Sequence, residues 1–299
     1  MRKLLKIAGL LAAGLVVVIV GLAEVVYWKS GAILKEKHLI KVHPPVVPVE
    51  PVALARGQHL AATRGCLECH GADLGGAKVI DDPAMGRLYG PNLTRGRGGL
   101  PAGFGDEDFE RAIRHGVTPD GRGLFLMPAT DYAHFTEGDM GDLIAYVKSV
   151  PPVDRESVPL KVGPVARALL VAGKIKLAVN EIDHAALQPA VVTPAVSVEY
   201  GRYVAISCTG CHGKNFSGGK IDIGPPDWPP AANLTPDASG RLAKWSEQDF
   251  LNTLRTGKRP EGSELSVVMP RAFGLMTDTE LKAVWQFLRT LPAVPTGRR

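Results

Sequence analysis

The chain has 299 residues, enough for about two ordinary domains, and its hydrophobic fraction of 45% can build packed cores, which excludes a disordered chain. Its net charge of +5 arises between Met1 and Lys41, where seven basic and two acidic side chains lie. The remainder holds 28 of each sign, so the excess of positive charge belongs to the N-terminal region and nothing in the composition argues for nucleic-acid binding, which would need a basic face on a folded domain.

The chain begins with a candidate membrane anchor. Three basic residues in the first six positions precede an apolar run over residues 7–28 that is interrupted only by Glu24. As a helix this run would be about 33 Å long, which matches a hydrocarbon core of about 30 Å. A cleaved signal peptide is the alternative, but the run is long for one and lacks a small-x-small cleavage site. We predict a retained single-pass anchor over residues 1–28, with the rest of the chain on the periplasmic face of a bacterial inner membrane.

The next segment, residues 29–50, is rich in proline and predicts an extended spacer that holds the following domain off the membrane surface, with an ordinary connector that tolerates prolines as the alternative. Beyond it, the chain repeats itself. All four cysteines lie in two copies of one pattern, Cys-x-x-Cys-His, and at an offset of 141 or 142 further motifs recur: Asn-Leu-Thr, Arg-x-Gly and Met-Pro. We therefore predict a tandem duplication of one domain. The first repeat is residues 51–153 and the second repeat is residues 196–299.

The cysteine pattern has three chemical interpretations: a zinc site, a thiol redox pair and a haem attachment site. Zinc would need four ligands, and each copy offers two thiolates and one histidine. A redox pair would explain neither the duplication nor the Met-Pro motifs. Thiols one helical turn apart suit two haem vinyl groups, and the adjacent histidine then reaches the iron. We predict two c-type haems, attached through the four cysteines Cys66, Cys69, Cys208 and Cys211.

The axial iron ligands follow from spacing. His70 precedes Met127 by the same distance in sequence as His212 precedes Met269, and we predict these two His/Met pairs as ligands. Other side chains compete for the distal position, and their spacing differs between the copies or has no counterpart: Met85, Met140, Met276 and His115. Filled axial positions predict an electron relay without catalytic residues of its own. The alternative is a dihaem enzyme such as a peroxidase, which needs one open or switchable iron position.

Both repeats predict an all-α fold. A first helix leads into each cysteine motif over residues 57–66 and 201–208. A second helix begins at Gly105 and at Ser246, where Ser246 and Asp249 resemble a capping box. A last helix covers residues 138–150 and 278–291, and proline ends both. In the connector, residues 154–195, an apolar stretch over 164–180 predicts a helix that fills the gap between the repeats or packs against the membrane or a partner.

Taken together, the CxxCHG, Asn-Leu-Thr, Arg-x-Gly and Met-Pro motifs and the terminal aromatic helix resemble tandem class I-type cytochrome c domains, over about residues 55–152 and 198–293. The chain also resembles membrane-anchored dihaem cytochromes and the cytochrome subunits of bacterial membrane-bound dehydrogenases. Those subunits often carry three haem motifs, and this sequence carries two. The resemblance implies electron transfer between redox protein partners, either as a free carrier or within a dehydrogenase or respiratory complex.

Overall fold

The computed structural model describes residues 2–185, 187, 189–221 and 227–298. It opens with a helix of 34 residues, α1 (Arg2–Lys35), whose apolar side chains are exposed from Leu4 to Trp28. Among the described residues it is the one helix long and apolar enough to cross a membrane. The helix continues past the apolar run, which ends at Trp28. The predicted spacer therefore begins as helix, and its extended part starts only after Lys35.

The first repeat contains five helices and a hairpin, which in chain order are α2 (Pro51–Thr63), α3 (Cys66–His70), β1 (Ala77–Asp82), β2 (Gly86–Gly90), α4 (Asp106–His115), α5 (Ala129–Tyr132) and α6 (Glu137–Ser149). Helices α2 and α6 pack across each other. They cross at Gly57, where a Cβ would lie 2.0 Å from the carbonyl oxygen of Asp142. Only glycine allows the two backbones to come this close.

The strands are a departure from the predicted all-α fold. β1 pairs antiparallel with β2, and β2 pairs antiparallel with β3 (Lys161–Val162), which gives a sheet in the order β1-β2-β3. The turn between β1 and β2 is held by the Asp82 carboxylate, which accepts hydrogen bonds from the backbone N–H groups of Ala84 and Met85. The strands are short and mostly half-exposed, so they leave little periodic signal in the sequence. The chain remains mostly helical, as predicted.

The second repeat is built on the same plan. Its α-helices are α8 (Val198–Ala205), α9 (Thr209–His212), α10 (Glu247–Thr256) and α11 (Asp278–Thr290), with 3-10 helices at Ile206–Cys208, Arg241–Lys244 and Arg271–Leu275. Ser246 and Asp249 form the predicted capping box at the start of α10. Helices α8 and α11 cross at Gly201, where a Cβ would lie 1.9 Å from the carbonyl oxygen of Ala283. The second repeat therefore has the same crossing of its first and last helices as the first repeat, with a glycine at the same point.

The two repeats share one continuous buried core. Two buried carboxylates, Asp139 and Glu280, also connect the repeats. Asp139 and Glu280 occupy the same position, three residues after the N-cap threonine of α6 and of α11. Each reaches the other repeat. Asp139 accepts a hydrogen bond from the hydroxyl of Tyr203 (2.6 Å), while Glu280 lies 2.9 Å from the Arg64 guanidinium and 2.7 Å from His59 Nε2. Both carboxylates are almost fully buried, so the repeats form one packed body.

The connector helix α7 (Pro164–Val171) is shorter than the predicted 164–180, and a separate 3-10 turn follows at Ala178–Asn180. It packs against α1 instead of filling the gap between the repeats. The proline-rich segment contacts the first repeat. His38 donates its backbone N–H to the carbonyl of Gly121, and Val47 packs against the buried core. The segment therefore runs along the first repeat.

Candidate functional site

The two Cys-x-x-Cys-His segments have closely similar backbones although they share little sequence between the cysteines. Each forms a short helical turn, α3 or the 3-10 helix continuing into α9, and each ends on a glycine, Gly71 or Gly213, with φ of 80° and ψ of 159°. A side chain at these glycines would be strained. Gly90 adds a further constraint, because a Cβ there would lie 1.9 Å from the carbonyl oxygen of Cys69. The strand β2 therefore packs directly on the first cysteine turn.

The two histidines are held in one tautomer by a backbone carbonyl. The Nδ1 of His70 donates to the carbonyl of Pro91 over 2.9 Å, and the Nδ1 of His212 donates to that of Ala232 over 2.7 Å. With the proton on Nδ1, Nε2 keeps its lone pair for a metal. Burial lowers the pKa of His70, and the hydrogen bond to Pro91 opposes this only in part. A neutral imidazole, which a metal ligand requires, is thereby favoured.

The surroundings of three of the four cysteines favour the protonated thiol. Burial raises the pKa of Cys66 and of Cys208 to about 12, and it raises that of Cys69 as well. A thioredoxin-type nucleophile needs the opposite shift. Within the described residues no group of three or more His, Cys, Asp or Glu side chains is placed to hold a metal ion. Buried, protonated thiols suit the haem interpretation, in which each thiol forms one lasting bond with a vinyl group.

In the second repeat the predicted haem residues line two adjoining cavities. One, of about 80 Å³, is lined by Cys208, His212 and Met269 among mostly apolar side chains. The other, of about 450 Å³, shares His212 and Met269 and adds Cys211. Sites for cofactors are lined mainly by apolar side chains. The structure therefore brings all four predicted residues of this repeat to the walls of one pair of mostly apolar cavities.

Sequence comparison decides the family. The cytochrome c family pattern matches residues 54–151 and 198–292, about two-thirds of the chain. The chain belongs to the cytochrome c family. Cytochromes of this family transfer electrons through c-type haem, and the predicted cofactor class is confirmed.

Similar proteins are named as cytochrome subunits. The fructose dehydrogenase cytochrome subunit of Gluconobacter japonicus is 28% identical over 82% of this chain and 55% of its own length. The gluconate 2-dehydrogenase cytochrome c subunit of Pantoea cypripedii is 28% identical over 80% of this chain and 59% of its own length. A dihaem cytochrome c of Cereibacter sphaeroides is 26% identical over 80% of this chain and 86% of its own length. The chain thus spans little more than half of the first two relatives.

The competing distal ligands of this cytochrome c lie in different surroundings. Met140 is fully buried in the core. His115 is buried, and its Nδ1 lies 2.9 Å from the Nδ1 of His184 in the connector. Burial, with help from His184, lowers the pKa of His115 to about 4. Met276 is different, because it lines the same cavity as Met269. Its counterpart in the first repeat is the buried Phe135, so only Met269 has a methionine partner.

The sequence assigned no role to two arginines of this site or to the repeated Asn-Leu-Thr motif. Arg241 and Arg259 line both cavities of the second repeat and bring positive charge to them. The Asn-Leu-Thr motif also has a physical role. The side-chain amide of Asn92 donates to the carbonyl of Val153, and Asn233 donates to that of Val294. Each asparagine therefore connects its own loop to the segment after the last helix of its repeat. The repetition of the motif was the only sequence signal for this role.

Proposed function

We propose that this chain is a membrane-anchored dihaem cytochrome c that relays electrons between two redox proteins. Each repeat, 51–153 and 196–299, would hold one c-type haem. The observation that carries the proposal is the equivalence of the two sites: the same cysteine turn, the same Nδ1 bond from histidine to a backbone carbonyl, and a methionine at the same spacing from that histidine. A second site without function would not keep all of these features.

The residues would divide the work as follows. The thiols of Cys66, Cys69, Cys208 and Cys211 would form thioether bonds that hold the porphyrins. The Nε2 atoms of His70 and His212 would bind iron on the proximal side, each oriented by its backbone carbonyl. The sulfur atoms of Met127 and Met269 would bind on the distal side and raise the reduction potential. When bound, haem iron supplies reversible one-electron transfer.

Two arginines would complete the second site. A haem of this type carries two propionate carboxylates, and Arg241 and Arg259 line both cavities. A guanidinium matches a carboxylate in charge and in hydrogen-bonding geometry. Each arginine also lies close to an acidic side chain or a carbonyl of the loop over residues 261–264, which fixes its position. We infer that these arginines hold the propionates and partly neutralise them.

Helix α1 would anchor the chain in a bacterial inner membrane with both haem domains in the periplasm. The placement of three basic residues before the apolar run supports this orientation. The names of the relatives support a dehydrogenase complex as the partner, with the catalytic subunit as electron donor. Since both axial positions of each iron would be filled, this chain would carry out no chemistry on a substrate itself.

A spectroelectrochemical titration of the purified full chain tests the proposal. We expect two haems per chain that stay bound on a denaturing gel, and two redox components. Both components should show the weak sulfur-to-iron charge-transfer band of methionine ligation. A component that lacks this band and binds carbon monoxide or cyanide rapidly would instead favour an open iron and the peroxidase alternative. One haem per chain would contradict the proposed equivalence of the two repeats.

A further inference from the structure

With α1 across a bilayer, as proposed above, its outer end would lie at the depth of the lipid headgroups. The apolar run ends at Trp28, and α1 continues to Lys35, a rise of about 10 Å. The polar layer on each side of a bilayer is about 5–8 Å thick. Tyr27 and Trp28 are both exposed, and such rings favour the boundary between hydrocarbon and headgroups. Residues that pack against α1 just beyond Trp28 must therefore share this depth.

The connector helix α7 packs at this position. The Arg167 guanidinium carbon lies 4.6 Å from the centroid of the Tyr27 ring. The same guanidinium donates to the hydroxyl of Ser30 over 2.9 Å, and Ser30 is fully buried although it lies on the anchor helix. These contacts place α7 beside the membrane boundary rather than between the two repeats.

An apolar cluster fixes this arrangement. Ile33 and Leu34 of α1 pack against the buried cluster that contains Val117, Leu170 and Leu177. The cluster joins the anchor helix, the connector and the first repeat into one unit. Because apolar burial and a partly buried hydrogen bond act together here, the connector is held at the bilayer surface whenever α1 spans the membrane.

The exposed side chains around this contact are mainly basic. Residues 161–176 contain four basic side chains and no acidic one. Lys174 and Lys176 are exposed on either side of Ile175, which packs against the apolar cluster. Lys29 and Lys35 are exposed on α1. We name these four lysines the basic collar. Glu36 is also exposed nearby, and Glu181 lies 3.8 Å from Lys176, so the collar keeps a net positive charge.

We propose that the basic collar binds anionic phospholipid headgroups and so holds the first repeat against the bilayer. The inference rests on the proposed anchor role of α1. Lipid phosphate is the complementary group that the geometry places beside these lysines, since α7 cannot leave the surface without breaking its contacts with α1. The first haem domain would then be the membrane-proximal one, in contrast to the stand-off predicted from the proline-rich segment.

Lysine labelling of the full-length haem-containing protein in nanodiscs tests this proposal. One preparation contains phosphatidylcholine alone, and the other contains phosphatidylcholine with phosphatidylglycerol. We expect Lys174 and Lys176 to react with an amine-reactive ester about five-fold more slowly in the anionic discs. High salt should remove this protection. The exposed Lys214 and Lys258 of the second repeat are the matched controls, and their rates should be the same in both preparations.

A charge-reversal pair completes the design. The double variant Lys174→Glu and Lys176→Glu should retain fewer anionic lipids after extraction, as counted by mass spectrometry, while Lys214→Glu with Lys258→Glu should match the parent protein. If the protein enters the discs but its lysines react at equal rates in both lipids, the proposed lipid binding by the basic collar is wrong while the anchor role stands. An acidic protein partner would then be the remaining candidate for this surface. Failure to enter the discs would overturn the anchor and the collar together. The haem bands of the same sample report on the proposed electron relay independently.

Discussion

Replacing Glu280 by glutamine should weaken the contact between the two repeats by about 3 kcal/mol, the scale set by its pKa shift and its buried ion pair. Glu280 lies at the start of α11 with only 3% of its side chain exposed. Burial alone would raise its pKa, but the hydrogen bond with His59 and the charge of Arg64 lower the pKa from 4.5 to about 2. A shift of this size corresponds to about 3 kcal/mol of stability at neutral pH, and removing one partner of a buried ion pair typically costs about 3–5 kcal/mol.

The pH dependence of this contribution has a definite sign. Because the pKa of the folded state is lowered, the stabilisation is complete above the ordinary pKa of about 4.5. It is lost as the pH falls from there toward 2. The free energies of unfolding of the parent protein and of Glu280→Gln should therefore differ most at pH 7 and become equal near pH 2. The measurement is urea unfolding of the full chain in detergent at several pH values, followed by circular dichroism.

Two control variants make the result interpretable. Asp278 begins the same helix but is 70% exposed in its ion pair with Arg255, so Asp278→Asn should change the free energy of unfolding by less than about 0.5 kcal/mol. Replacing both Arg64 and Glu280 by methionine should cost less than either single change, since no buried charge then lacks its partner. A free energy of unfolding for Glu280→Gln within about 0.5 kcal/mol of the parent at pH 7, or a deficit that persists at pH 2, would refute the stabilising role of this buried ion pair.

Three further predictions concern packing and ligation. Gly201→Ala should lower the free energy of unfolding in urea by about 3 kcal/mol, because its Cβ would clash with a backbone carbonyl. The control Gly138→Ala, near the open start of α6, should be neutral or stabilising by about 0.5–1 kcal/mol. Equal effects of the two substitutions would contradict the close helix crossing. Asn92→Ala should cost about 2 kcal/mol by the same assay, since it removes the side-chain amide that donates to the carbonyls of Val153 and Arg155, and an unchanged midpoint would count against this role. Met269→Ala should abolish the sulfur-to-iron band of one haem while Met276→Ala retains it, and the reverse outcome would exchange their roles.

Local chemistry was predictable because it depends on residue type and spacing. Two thiols and a histidine in one short segment have few chemical uses, and the duplication of this pattern, with a methionine at the same spacing in both copies, narrows them to haem. The capping box at Ser246 was predictable for the same reason, as the hydrogen bonds join residues three apart. The cytochrome c family and the mostly helical fold follow from such signals.

Partners distant in sequence were not predictable. The first-turn carboxylates Asp139 and Glu280 have the pattern of ordinary capping residues, and nothing local distinguishes them from Asp249. Their burial between the repeats depends on how two helix pairs pack. The hairpin of β1 and β2 was missed because its short strands are half-exposed and carry little alternation.

By itself, the sequence determined the apolar N-terminal run, the duplication and the cytochrome c motifs, because an apolar run, a repeat and a motif are properties of composition and spacing. The tertiary structure alone decided where the connecting segments lie. The connector helix packs on α1 through Arg167 and an apolar cluster, and the proline-rich segment follows the first repeat through His38 and Val47. The hydrogen bond from Arg167 to Ser30 alone joins residues 137 positions apart. They depend on shape complementarity between surfaces, which exists only once the chain has folded.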